Sequence, residues 1–157
     1  MLSLSFHSGS REALMPLFAE ADDSETQIAS YRDLGEILIA QEAGQIVGLV
    51  QIVPTDEPGC AEIKSIAVVE GRRSQGIGTA LLHGALDYCR GQDVRLVSLA
   101  TAAASIQALQ FYQRHGFRLR RIIRDFYSPE RGYRPLLVNG IPLLDEVILD
   151  FELYPKL

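Results

Sequence analysis

The segment Val68-Val69-Glu70-Gly71-Arg72-Arg73-Ser74-Gln75-Gly76-Ile77-Gly78-Thr79-Ala80-Leu81-Leu82 constrains this chain most: it runs from an apolar strand through an arginine- and glycine-rich turn into an amphipathic helix. Glycines at 76 and 78 let the backbone approach a ligand closely. The unpaired N–H groups of the first helical turn then face that ligand, with the positive end of the helix dipole behind them, which makes an anion site. Arg72 and Arg73 add two full charges beside it. The loop is not a P-loop, because Gly71 and Gly76 are followed by Ile77 and Gly78, so no lysine can reach a terminal phosphate. The dinucleotide fingerprint fits poorly as well: Leu81 stands where its third small residue belongs.

A second segment, Ser105-Ile106-Gln107-Ala108-Leu109-Gln110-Phe111-Tyr112-Gln113-Arg114-His115-Gly116-Phe117, reads as a short helix. Ser105, Ala108, Leu109 and Tyr112 follow the i, i+3, i+4, i+7 pattern of one inward stripe, and Gly116 suits a left-handed C-cap. Between the two segments lies one apolar strand, Val94 to Ala100.

Arg73-x-x-Gly76-x-Gly78 after a strand, followed by a tyrosine-bearing helix ending in Gly116-Phe117, closely resembles the GNAT superfamily of acyl-CoA-dependent N-acetyltransferases. The resemblance covers residues 37–127. It implies an α+β fold, a mixed and mostly antiparallel central sheet flanked by helices, in the order β, α, α, β, β, β, α, β, α, β, β. It also implies acetyl-CoA as co-substrate, with Arg73, Ser74, Gln75, Gly76, Gly78 and Thr79 holding its pyrophosphate. A bulge in the central strand, which the family has, would free backbone groups of Ile66 and Val68 for the pantetheine arm. Where the family often carries Asn this chain has Ser105, so a side-chain contact to that arm is shortened or lost, or Ser105 only caps the helix.

The chemistry of a thioester gives two of these residues a task. A phenol, titrating near ~10, is protonated at neutral pH and can protonate a leaving thiolate, so Tyr112 is the candidate general acid. Packing among its apolar neighbours is the alternative. Glu62, on the central strand, matches a position where family members carry a glutamate base; it also stands two residues from Lys64, on the same strand face, where an ion pair explains it equally well.

Elsewhere the pattern predicts a helix from Ser10 to Ala21, with Ser10 as cap and Ala13, Leu14, Leu17 and Phe18 inward. A second helix is expected over 24–34, then a hairpin, Glu36 to Ala43 and Ile46 to Pro54, turning through Ala43-Gly44-Gln45. The central strand is Ala61 to Val69; Ile77, Ala80, Leu81, Gly84, Ala85 and Tyr88 form the buried stripe of the long helix. Strands over Phe117 to Tyr127 and Glu146 to Leu153 complete the sheet, and Val138-Asn139-Gly140-Ile141 is a turn signal.

At 157 residues one domain spanning the whole chain is expected. A net charge of −5 argues against nucleic-acid partners, and no stretch approaches the ~20 apolar residues of a membrane span. The arginines at 114, 118, 120, 121 and 124 read better as a solvated face, with Arg118, Arg120 and Arg124 to one side of a strand, than as an RNA surface. Two cysteines without a paired motif suit a reducing cytoplasm, and His7, His83 and His115 stand at no metal-ligand spacing. The expectation is a cytoplasmic, metal-free enzyme acting on an amine of a small molecule or peptide, with a homodimer allowed. A non-catalytic acyl-CoA sensor and a partner-binding module are the alternatives on the same fold. Asp22, Asp23 and neighbouring acids, in a region that lines the acceptor site in the family, are either a cation-attracting wall or solvated helix ends.

Overall fold

The computed structural model describes residues 1–154. Its strands and helices are β1 (Ser3–Phe6), α1 (Met15–Ala21), α2 (Glu25–Tyr31), β2 (Glu36–Glu42), β3 (Gln45–Pro54), β4 (Cys60–Val68), α3 (Ile77–Gly91), β5 (Leu96–Ala102), α4 (Ile106–Arg114), β6 (Arg118–Ile123), β7 (Leu137–Val138), β8 (Ile141–Pro142) and β9 (Glu146–Glu152). Seven strands form one sheet in the order β1-β2-β3-β4-β5-β9-β6, and β7 and β8 make a separate hairpin. The sheet is mixed and mostly antiparallel, as expected; the β4–β5 pair is parallel because α3 carries the chain back across the sheet between them.

Apolar side chains cover both faces. One layer joins α3 and α4 to the sheet around Leu81, Leu82, Ala85, Val97 and Leu149; the other packs Leu14, Phe18, Ile28 and Tyr31 from the α1–α2 side onto Ile37, Ile39 and Leu49. The β2–β3 turn uses Ala43 and Gly44, both at positive φ (51° and 77°), which matches the twist of a two-residue hairpin.

Several expectations shift for identifiable reasons. The first helix begins at Met15 after a 3-10 turn over Glu12–Leu14, leaving Ala13 exposed, because Pro16 has no N–H to continue a ladder from upstream. The second is capped by Ser24, whose hydroxyl accepts from Gln27 N at 3.2 Å, and stops at Tyr31. In α3 the buried set is Ile77, Leu81, Leu82, Ala85, Leu86 and Cys89, with Ala80, Gly84 and Tyr88 half-buried. Gly84 is where the helix comes closest to β2: a Cβ there would meet Leu38 Cδ2 at 2.6 Å, so the larger side chains straddle it. In β6 the register jumps between Leu119 and Arg121, inserting Arg120; alternation is lost and residues 118–122 are all exposed on an edge strand, while Arg124 lies beyond it.

Gln51 fastens the α2 end to the sheet. It is fully buried, and its Nε2 donates to the carbonyls of Tyr31 at 2.7 Å and Leu34 at 2.9 Å. Gln51→Leu keeps the bulk and removes an unpaired Oε1, yet takes one donor from each carbonyl, leaving Tyr31 O to Leu34 N and Leu34 O to Arg11 Nη1. Urea denaturation should show a loss of about 1–3 kcal/mol.

Candidate active site

The site begins where the sheet opens. Along β3 the pairing Gln51↔Ser65 is followed by Ile52↔Ile63, so Lys64 is an extra residue and β4 carries the expected bulge. The parallel pairing with β5 runs only from Cys60↔Leu96 to Ile63↔Leu99. Beyond it the strands diverge, and Ser65 to Val68 pair with β3 but not with β5. The gap is a cleft of about 600 Å³ walled by Ile66, Val68, Gly78, Ala100, Phe111 and Tyr112.

At one end of this cleft lies the glycine-rich turn. Gly71, Ser74 and Gly76 all take positive φ (89°, 62° and 83°), which coils the backbone into α3 with Gly76 as its N-cap. No side chain caps this helix, so its first N–H groups keep no intrahelical or capping partner, and a Cβ at Gly76 would meet nothing within 4 Å. The two arginines divide the work: Arg72 binds Glu42 and Gln75 Oε1 (2.9 Å), tying the turn to β2, whereas Arg73 reaches over the cleft mouth to Glu20 at the end of α1. Open space, free donors and Arg73 together fit a pyrophosphate. Ser74, Gln75, Gly76 and Thr79 build the turn without lining the cleft, and Thr79 Oγ1 lies 3.3 Å from His115 Nε2. Ser105 holds the N-cap position of α4 with no side-chain capping bond, and its side chain lines the cleft instead.

Tyr112 lies on the inward stripe of α4. Its ring packs edge-on against Phe111 and Phe117 with 7 % of the residue exposed, while the residue lines the cleft and, among the described residues, its hydroxyl has no hydrogen-bond partner. Packing in the core and facing the cleft are thus both true of it. Burial pushes its pKa above the ordinary phenol value, so it stays protonated throughout the working range.

Glu62 lies in an adjoining chamber of about 160 Å³ that shares Lys64, Ala100, Thr101 and Ser105 with the cleft. Glu62 and Lys64 do pair, at 3.8 Å, with about a third of each side chain exposed. Of the far wall, the sequence offered only Asp22 and Asp23, as one of two readings, and both line the chamber. Asp22 is no solvated helix end: its Oδ2 accepts from Tyr31 Oη at 2.9 Å and its Oδ1 from Tyr133 Oη at 2.7 Å, which fixes two rings of the chamber. Phe126, Tyr127 and Tyr133 arrive from the segment between β6 and β9. Their spacing, three aromatics within eight residues of an irregular stretch, was the available signal.

Glu146, the first residue of β9, also faces this chamber, 9 % exposed. Nothing in its local sequence marks it, since it opens an ordinary apolar strand. Burial, with a smaller push from Glu62 against a pull from Lys64, raises its pKa to about 7. The fold therefore favours the protonated form over a window from the usual carboxylate range up to about 7; the unfolded chain binds fewer protons there, and the associated stability is lost as pH rises through that window. Glu146→Gln, which stays neutral, should raise Tm more at about pH 8 than at about pH 4, read by differential scanning calorimetry.

Comparison with known proteins places this geometry. Residues 6–117 match the Acetyltransferase (GNAT) family. An uncharacterized N-acetyltransferase, YvbK, of Bacillus subtilis is 30 % identical over 143 residues, 90 % of each chain. A GNAT family acetyltransferase from Elizabethkingia anophelis, solved with acetyl-CoA bound, superimposes with a TM-score of 0.89 at 28 % identity, covering 96 % of this chain and 97 % of its own. A Bacillus subtilis acetyltransferase in complex with CoA gives 0.87 at 27 %, covering 97 % and 99 %. With bulged strand, glycine turn and cleft in the expected order, and the family matched over most of its length, the chain belongs to the GNAT acetyltransferases.

Proposed function

We propose that the protein is an N-acetyltransferase that moves the acetyl group of acetyl-CoA directly to a primary amine of a small molecule or peptide. The observation that carries this reading is the cleft itself, which runs from an open anion cradle, past a buried phenol with no hydrogen-bond partner among the described residues, to a chamber lined with carboxylates. Cleft and chamber share Lys64, Ala100, Thr101 and Ser105, so a donor in one and an acceptor in the other can be held together.

Acetyl-CoA supplies a thioester carbonyl to which a neutral amine adds; the C–N bond forms, the C–S bond breaks and the thiol leaves. Arg73 and the first N–H groups of α3 hold the pyrophosphate, with Ser74, Gln75, Gly76 and Thr79 shaping that turn. The unpaired edge of β4 at Ile66 and Val68 offers backbone groups to the pantetheine arm, and Ser105 borders its path. Glu62 takes the proton that the attacking ammonium must lose, directly or through water, with Lys64 paired beside it at 3.8 Å. Tyr112 gives its proton to the departing sulfur. A buried phenol is a weak acid, and loss of water also destabilises the departing thiolate, so both partners of the transfer are shifted in the same direction.

Two substitutions test this division of labour. Gly78→Val is the cleaner probe of the cradle, since Gly76 sits at a φ of 83° and would strain any side chain, whereas a Cβ at 78 makes only ordinary contacts with Phe111 and Val68. It should abolish acetyl-CoA binding by calorimetry with the fold retained; unchanged affinity would remove the cradle assignment and favour a partner-binding module. Tyr112→Phe should lower turnover by roughly ten- to a thousand-fold with little change in acetyl-CoA affinity, measured as thiol release across a panel of amines. Equal turnover would return Tyr112 to packing alone, and binding without thiol release from any amine would favour a sensor.

A further inference from the structure

The chamber beside the cleft has a charge pattern that acetyl transfer to a simple amine does not use. Four carboxylates, Asp22, Asp23, Glu62 and Glu146, line it against one lysine, Lys64. Their states differ. Glu62 is matched by Lys64, and Asp22 is held by two phenol hydroxyls and the Ser24 N–H. Glu146 is nine-tenths buried, faces the chamber and, among the described residues, accepts no hydrogen bond. A buried carboxyl without a partner is costly, and its charge is one that a ligand can satisfy.

The aromatic lining adds to this. Arg131 stacks over Phe126 at 4.3 Å and Lys64 lies 5.1 Å above Tyr31, so two rings already attract cations of the protein itself. Tyr127 and Tyr133 pack edge to face at 4.9 Å without such a partner, and Tyr127 is near enough to Glu146 to feel its charge. A compact ammonium among phenol rings, opposite a desolvated carboxylate, gains both ion pairing and cation–π attraction.

We infer that the acceptor is a dication, a diamine or longer polyamine, whose reacting amine meets Glu62 in the chamber, beside the Lys64 that chamber and cleft share, while its second ammonium is held in the same chamber by Glu146, with Tyr127 and Tyr133 around it. This rests on the acetyl-transfer reading above for the role of the first amine. It assigns Glu146 to acceptor selection, as a binding residue distinct from the proton acceptor.

Three four-carbon amines separate the possibilities: putrescine, n-butylamine and γ-aminobutyrate, which carry a second ammonium, no second charge and a carboxylate. With acetyl-CoA, thiol release should give kcat/KM at least about tenfold higher for putrescine than for n-butylamine, the ratio expected of one desolvated ion pair. Glu146→Gln should bring that ratio to within about twofold. A ratio near one in the parent protein, a ratio that survives Glu146→Gln, or a preference for γ-aminobutyrate drawn by Lys64 would each overturn the inference. Calorimetric titration of the same amines into the CoA-bound protein reads the second ammonium without chemistry: putrescine should bind more tightly than n-butylamine, and Glu146→Gln should remove the difference. If that dependence holds while no amine releases thiol, the transfer reading fails and the dication site stands. Should Glu146→Gln not fold, as judged by circular dichroism, Tyr127→Leu carries the same comparison, and an unaltered putrescine preference there would overturn the aromatic half of the site.

Discussion

Lys64, the extra residue in β4, and the end of pairing at Ile63↔Leu99 are two aspects of one local event. A bulge increases strand twist, and two parallel strands that twist by different amounts cannot stay in register. Hydrogen bonding between β4 and β5 therefore stops four pairs in, and the separation opens a slot in the middle of the sheet. A gap of this kind elsewhere would cost the fold several unpaired backbone groups. Here α3 begins at one end of it and α4 borders it, so the slot is framed by helices whose own packing does not depend on its being closed.

The two ends of the slot have opposite electrostatic character, and this follows from which part of the backbone reaches each. At the α3 end the chain offers N–H groups, a helix dipole and Arg73; at the other, side chains from α1, α2 and β9 converge with their carboxylates inward. Groups of opposite charge are thereby drawn to separate ends. Asp22 has a structural part in this. By taking hydrogen bonds from Tyr31 and Tyr133 it joins α2 to the segment before β7, a link reinforced by Ser24 Oγ donating to the Arg131 carbonyl at 2.7 Å.

The cradle and the fold class were legible in the sequence because both depend on short-range chemistry: glycines that must adopt positive φ, a helix start, alternation along strands. The bulge came with the family resemblance and is present. The chamber beside the cleft was much less legible. Its walls come from residues 22, 31, 62, 127, 133 and 146, and no periodicity links positions so far apart. Glu146 shows why: a carboxylate opening an apolar strand looks like any solvated strand end until β5, β9 and the β6–β9 connection close around it. Element edges shifted where one residue overruled a pattern, as Pro16 did in α1 and Arg120 in β6.

The position of β9 between β5 and β6 has a bearing on how the chain reaches this state. β6 follows β5 closely in sequence yet never pairs with it; the place between them waits for residues 146–152, the last strand. During synthesis from the N-terminus, β5 therefore leaves the ribosome with one edge open and Val97 and Leu99 incompletely covered. Such an edge can pair with another chain, and long-range closure is slow compared with local helix formation. Insertion of β9 closes the sheet and, in the same movement, brings Glu146 to its place in the wall, so the nascent chain has no chamber until this edge is sealed.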